Sequence, residues 1–168
     1  MTNNWSAFET EAPAFAAAVR ARFAQYPHHV LATLRRDGSP RVAGLTVTIR
    51  GGELWFGMMP GSLKGQDLRR DPRFALHSNP GPDDKMPDGD VRIGGRAVEI
   101  TEAPELHRFA EESEEVDAPA PFDLFRAELT EVVRTALDGE ELVVTTWRPG
   151  RGLSTLRRGN DDEPPRAG

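Results

Sequence analysis

A chain of 168 residues is the size of one domain and long enough to enclose one core, which argues against a second catalytic domain. Its formal charge of −6 argues against general nucleic-acid binding, since neutralising phosphates takes a net basic surface. There is no cysteine, so disulfides, thiolate metal sites and a cysteine nucleophile are excluded, and redox chemistry would need a borrowed cofactor.

The first thirty residues carry Glu9 and Glu11 and no unbroken apolar block, so neither a signal peptide nor a membrane span is expected, and the expected location is the cytoplasm. Residues 12–25 are Ala-rich, with Phe15, Val19 and Phe23 at fourfold spacing and Pro27 as a stop; this predicts an opening amphipathic helix. Residues 29–34, 42–49 and 53–58 are β-prone and separated by Arg36-Asp37-Gly38-Ser39-Pro40 and Arg50-Gly51-Gly52, which predicts a three-stranded antiparallel meander. Pro60-Gly61 breaks that sheet, and Ser62 is the natural N-cap of a short helix ending at Asp71-Pro72.

A short strand is expected at 74–78, a Pro/Gly/Asp-rich loop at 79–89 and a strand at 91–101. Residues 104–115 predict an acidic surface helix, followed by a linker at 117–121. The period of 122–137 is ambiguous. Its second half, 129–137, reads as a strand, because it faces 142–147 across Asp138-Gly139-Glu140-Glu141. Gly94-Gly95, with no helix after it, suggests a bulge or a close backbone approach. Residues 1–157 are expected to form one domain, and 158–168, acidic and Pro-containing, a disordered tail. Many short antiparallel strands with few helices suggest a closed or half-closed barrel.

Three pieces in this order, Val30-Leu-Ala-Thr-Leu-Arg-Arg-Asp-Gly-Ser-Pro-Arg-Val, Gly52-Glu-Leu-Trp-Phe and Ser62-Leu-Lys-Gly-Gln-Asp-Leu-Arg-Arg-Asp-Pro-Arg-Phe-Ala-Leu, resemble the pyridoxamine 5′-phosphate oxidase-like superfamily. Val91-Arg-Ile-Gly-Gly-Arg-Ala-Val and Thr146-Trp-Arg-Pro-Gly continue the match, which spans about 30–150. The resemblance implies a mainly β (α+β) fold, a six-stranded antiparallel split β-barrel of the flavin mononucleotide-binding type. It also implies a homodimer with a cofactor in each of two clefts at the seam, acting on a small-molecule substrate, with no nucleic acid and no membrane as partners. The cofactor phosphate would sit at Ser62 and Lys64, where a helix start offers unpaired N–H groups. The ring would lie along Leu45, Thr46, Val47 and Thr48, with Gly57 and Met58 lining the same cleft and Trp147 in a family segment near it.

The turn reads Ser62-Leu63-Lys64 where the vitamin-synthesising oxidases carry Ser-Arg-Lys, and the second strand shows Ala43-Gly44-Leu45 where they carry a basic residue. Leucine cannot hold phosphate bidentately as arginine does. Vitamin synthesis is therefore not expected, and Asp67-Leu-Arg-Arg-Asp-Pro-Arg resembles more the branch that uses the deazaflavin coenzyme (factor 420). The expected activity is hydride transfer between flavin mononucleotide, or alternatively that deazaflavin, and a small organic molecule. The alternative is a non-catalytic flavin-binding carrier or sensor. On residue type alone Arg69, Arg70 and Arg73 are a solvated or ion-paired face, Trp55 and Trp147 are packing residues, and no histidine has metal-ligand spacing. No catalytic side chain is assigned, because in this superfamily the cofactor carries the hydride.

Overall fold

In the computed structural model, which describes residues 2–82, 86–113 and 121–168, two short helices precede the meander. They are α1 (Trp5–Glu11) and α2 (Pro13–Ala24). The second matches the expected helix, and Phe15, Val19 and Phe23 are its buried face. The first lies outside it: Asn4 caps α1 by accepting the Ala7 N–H, and Trp5 and Phe8 enter the core. The strands β1 (His28–Leu34), β2 (Pro40–Arg50) and β3 (Glu53–Met58) form the antiparallel meander. Then come α3 (Leu63–Arg70), β4 (Arg73–His77), β5 (Asp90–Ile100) and α4 (Ala103–Glu112). Residues 83–85 of the expected loop, 114 and 115 of the expected helix and 117–120 of the expected linker lie outside the described residues.

The long strand β6 (Asp123–Asp138) closes the structure. Its first residues pair with β3 and its length pairs with β5, so β3-β2-β1-β4-β5-β6 is a closed six-stranded antiparallel barrel. It begins six residues before the strand expected at 129–137. A bulge opposite Gly94/Gly95 explains the ambiguous period: Thr130 is unpaired, so the buried set runs Phe125, Ala127, Leu129 before it and resumes at Val132 after it. Gly95 is required there, since a Cβ would lie 2.2 Å from the Glu128 carbonyl oxygen.

Beyond the barrel, β6 continues as one sheet with β7 (Glu141–Arg148), β8 (Gly152–Arg158) and β9 (Arg166–Ala167). The sequence reading had no strand at β8, and the segment expected as a disordered tail carries β9, paired with Leu156 and Arg157. The barrel interior is one apolar cluster, with Leu31, Leu54, Phe56, Leu76, Ile93, Phe125 and Leu129 fully enclosed and α1–α2 packed on it. No helix among the described residues is long and apolar enough to cross a membrane.

Candidate functional site

The barrel is not sealed evenly. Strand β2 pairs with β1 from Pro40 to Thr46 and with β3 only from Val47 to Arg50. Among the described residues, Arg41 to Thr46 therefore have no strand on the β3 side, and Gly57 and Met58 pair only with β6. An open seam runs between these two edges and leads to the turn into α3. Backbone polar groups along it are free to meet a ligand.

Alternation decides which side chains face this seam. Leu45 points inward and is 6% exposed, so β2 offers only its backbone there, while Thr46 and Gly57 are exposed. Among the described residues nothing lies within 4 Å of a Cβ placed on Gly57. Thr48 and Val47 border a different opening, a cleft of about 400 Å³ shared with Arg20, Phe23 and Ala24 of α2. Met58 is buried at the base of the turn, where a Cβ on Gly65 would meet its Sδ at 3.2 Å and Ser62 Oγ at 3.1 Å.

Ser62 is the N-cap, as expected: its Oγ accepts the Gly65 N–H at 3.2 Å and its carbonyl accepts the Gln66 N–H at 3.0 Å. Among the described residues the N–H groups of Leu63 and Lys64 meet no acceptor. These two donors, the positive end of α3 and the half-exposed Lys64 form an anion-accepting corner. One acid already stands beside it. Asp123 accepts the Gly61 N–H at 3.1 Å and pairs with Arg69 at 3.0 Å, so the neighbouring carboxylate is neutralised.

Trp147 is apart from the other expected site residues. It is fully buried against Phe8, with ring centroids 4.7 Å apart, and its Nε1–H donates to Glu11. The packing reading of this residue is the one the structure supports. Arg69, Arg70 and Arg73 form ion pairs with Glu99, Asp67 and Asp71, as their residue type suggested. His28 is exposed while its neighbour His29 is buried, with Nδ1 accepting the Asn79 N–H, so the two cannot share a ligand. No group of three metal-ligating side chains occurs among the described residues.

A feature the sequence reading missed lies at the far end of the seam, between the β1–β2 turn and α3. Asp67, 2% exposed, accepts from Thr33 Oγ1 at 2.8 Å, Arg41 Nε at 2.6 Å and Arg70 at 3.0 Å. Burial raises its pKa, but these hydrogen bonds outweigh that and hold it below the ordinary value. Spacing gave no signal, because the four residues lie on three elements up to 37 positions apart.

The family model for pyridoxamine 5′-phosphate oxidase matches residues 15–136. The chain belongs to that family. Among solved structures, the oxidase family fold recurs in general stress protein 26 of Bacillus anthracis, with 16% identity over 70% of this chain and 91% of that one and a TM-score of 0.55. It recurs in the conserved hypothetical protein Rv2991 of Mycobacterium tuberculosis, with 21% identity, 71% and 81% coverage and a TM-score of 0.55. The heme storage protein HutZ of Vibrio cholerae is a third, at 14% identity, 67% and 88% coverage and a TM-score of 0.54. At these identities the likeness is one of fold. No curated protein matches the chain in sequence.

Proposed function

We propose that this member of the oxidase family is an oxidoreductase that holds a flavin-type cofactor in the seam, flavin mononucleotide first and the deazaflavin coenzyme as the alternative. The observation that carries the reading is the unpaired β2 edge from Arg41 to Thr46 facing Gly57 and leading to the Ser62–Lys64 corner. The residues fit the group: a flat ring needs an edge of backbone donors and acceptors beside a surface without side chains, and its phosphate needs N–H donors and a cation. Leucine at position 63 leaves a weaker clamp than arginine would.

When bound, the cofactor would supply the hydride acceptor or donor. The protein's part is positional. The β2 backbone and the Thr46 hydroxyl orient the ring, Lys64 with the Leu63 and Lys64 N–H groups anchors the phosphate, and the apolar interior behind Leu45 and Phe56 keeps the barrel side dry. Titration with each cofactor, followed by ring fluorescence, tests the assignment. Lys64→Ala removes a charge-assisted contact worth about 1.5 to 3 kcal/mol, so affinity should fall roughly tenfold to a hundredfold. Unchanged binding would place the phosphate elsewhere. Binding without turnover across a broad acceptor panel would favour the carrier or sensor alternative.

The seam has one wall in a single chain, and a second copy is the proposed other wall. Register places Leu137 opposite Leu142 and Val144 opposite Leu156 on one face of the β6–β7–β8 sheet, and the three leucines are 42, 39 and 48% exposed. Light scattering at micromolar concentration should give about twice the 18.5 kDa chain mass, and a monomer would contradict the two-walled cleft.

Heme binding is a second reading, favoured by His77. Its Nδ1 lies 2.5 Å from the Ser78 carbonyl oxygen, which fixes the proton there and leaves Nε2 as a ligand atom on the barrel exterior. An absorbance titration with heme is the matching test.

A further inference from the structure

Between the β1–β2 turn and α3 lies an open cleft of about 480 Å³, lined by Arg35, Arg36, Asp37, Arg41, Leu63, Gln66, Asp67 and Arg70. Four guanidinium groups face two carboxylates there, which leaves the cleft two positive charges on a chain whose formal charge is −6. Both carboxylates are already engaged. Asp67 is saturated by Thr33, Arg41 and Arg70, and Asp37 accepts from the Ser39 N–H at 2.9 Å and its hydroxyl at 2.6 Å. Asp67 holds Arg41 and Arg70 in place, and the two carboxylates leave two of the four positive charges uncancelled.

Two of the arginines are held in place. Arg41 is fixed through Nε and Arg70 through one terminal nitrogen, which also reaches the Leu34 carbonyl. Each keeps other N–H donors for a ligand. Arg35 and Arg36 are exposed on the turn and complete the rim, and Leu63, 59% exposed, supplies one apolar contact. Pre-positioned guanidinium groups with an excess of two charges suit a dianionic or more highly charged phosphate group, which planar forks grip bidentately.

We propose that this cleft, which adjoins the Ser62–Lys64 corner at Leu63 and draws its cations from the β1–β2 turn, β2 and the far end of α3 instead of Lys64, is a second anion site that binds the phosphate or diphosphate group of a small-molecule ligand. It does not depend on the identity of the seam cofactor. The shared chemistry is the phosphate, carried either by free diphosphate or by a nucleoside diphosphate.

The test is calorimetric titration of the wild-type protein with pyrophosphate and with ADP, repeated on Arg35→Ala/Arg36→Ala and on Lys64→Ala. Wild type should bind at least one of the two with Kd under about 1 mM, and loss of two charge-assisted contacts should weaken this about tenfold or more. The double variant should melt as wild type does, since both side chains are exposed and outside the Asp67 cluster, and it should bind flavin unchanged. Lys64→Ala should bind pyrophosphate and ADP as wild type does. Equal affinity for the two ligands assigns recognition to phosphate alone, and tighter ADP adds contact with the organic part; both sustain the site. Absence of saturable binding below about 10 mM, unchanged binding by the double variant, or loss with Lys64→Ala would overturn it.

Discussion

Replacing Gly95 with alanine is expected to cost at least about 3 kcal/mol, enough to lower the melting temperature by roughly 10 °C in a domain of this size. The new methyl would sit 2.2 Å from the Glu128 carbonyl oxygen and 2.9 Å from the Phe74 ring. Neither neighbour can retreat. The carbonyl belongs to the β5–β6 ladder beside the bulge, and Phe74 is wedged edge-on against Phe56, ring centroids 5.0 Å apart. Gly94→Ala is the control, because its methyl meets the flexible Glu131 side chain at 3.3 Å, and a cost under about 1 kcal/mol is expected. Thermal melts of the two variants check this directly, and equal melting temperatures would contradict the packing described for the bulge.

Asp67→Asn should be the most damaging polar substitution, at about 2 to 3 kcal/mol near neutral pH. It keeps the shape but removes the carboxylate charge paired with Arg41 and Arg70, and those side chains retain 22 and 30% exposure, so the loss falls short of a fully buried pair. The effect carries a pH signature. The folded pKa of Asp67 is depressed, so its stabilisation is fully present above the ordinary aspartate value of about 4 and is lost as pH falls through the lower folded value. Urea midpoints of wild type and variant should therefore differ most near pH 7 and converge towards pH 3. A gap that stayed constant would mean that the residue acts through shape alone.

The parts of the fold legible in the sequence are those where local chemistry and tertiary structure agree. Glu53–Met58 alternates Leu54, Phe56 and Met58 inward between glycine and proline turns, and Ser62 stands where a helix must start. The reading of β6 recovered its second half, 129–137, and left its first half ambiguous for a physical reason. One inserted residue shifts the inward phase, so a strand of sixteen residues has neither a strand period nor a helix period over its whole length. Strand β8, Gly152–Arg158, alternates exposed residues with partly exposed ones and buries none, so no hydrophobic signal marks it. It exists because β7 offers an edge.

The geometry of the candidate site was legible in the same uneven way. Ser62 and Lys64 follow from helix-start chemistry, and Gly57, expected to line the cleft, is exposed. The side chains of Leu45 and Trp147 are core residues, buried by inward alternation and by the docking of α1, so Leu45 can offer a ligand its backbone alone. The Thr33–Arg41–Asp67–Arg70 cluster depends on α3 folding back onto the β1–β2 hairpin, which no spacing rule encodes.

A flat cofactor in the seam between β2 and β3 would lie against Gly57, and a side chain added there should displace it. The position is exposed, and no described residue comes within 4 Å of a Cβ there, so Gly57→Leu should fold and melt close to wild type while filling the surface against which the ring would lie. The measurement is a fluorescence titration of wild type and variant with flavin mononucleotide and with the deazaflavin coenzyme. Wild type should bind one of them with Kd under about 100 μM, and the folded variant should lose at least about tenfold. A folded Gly57→Leu protein that binds as tightly as wild type, or a wild type that binds neither cofactor, would contradict that placement.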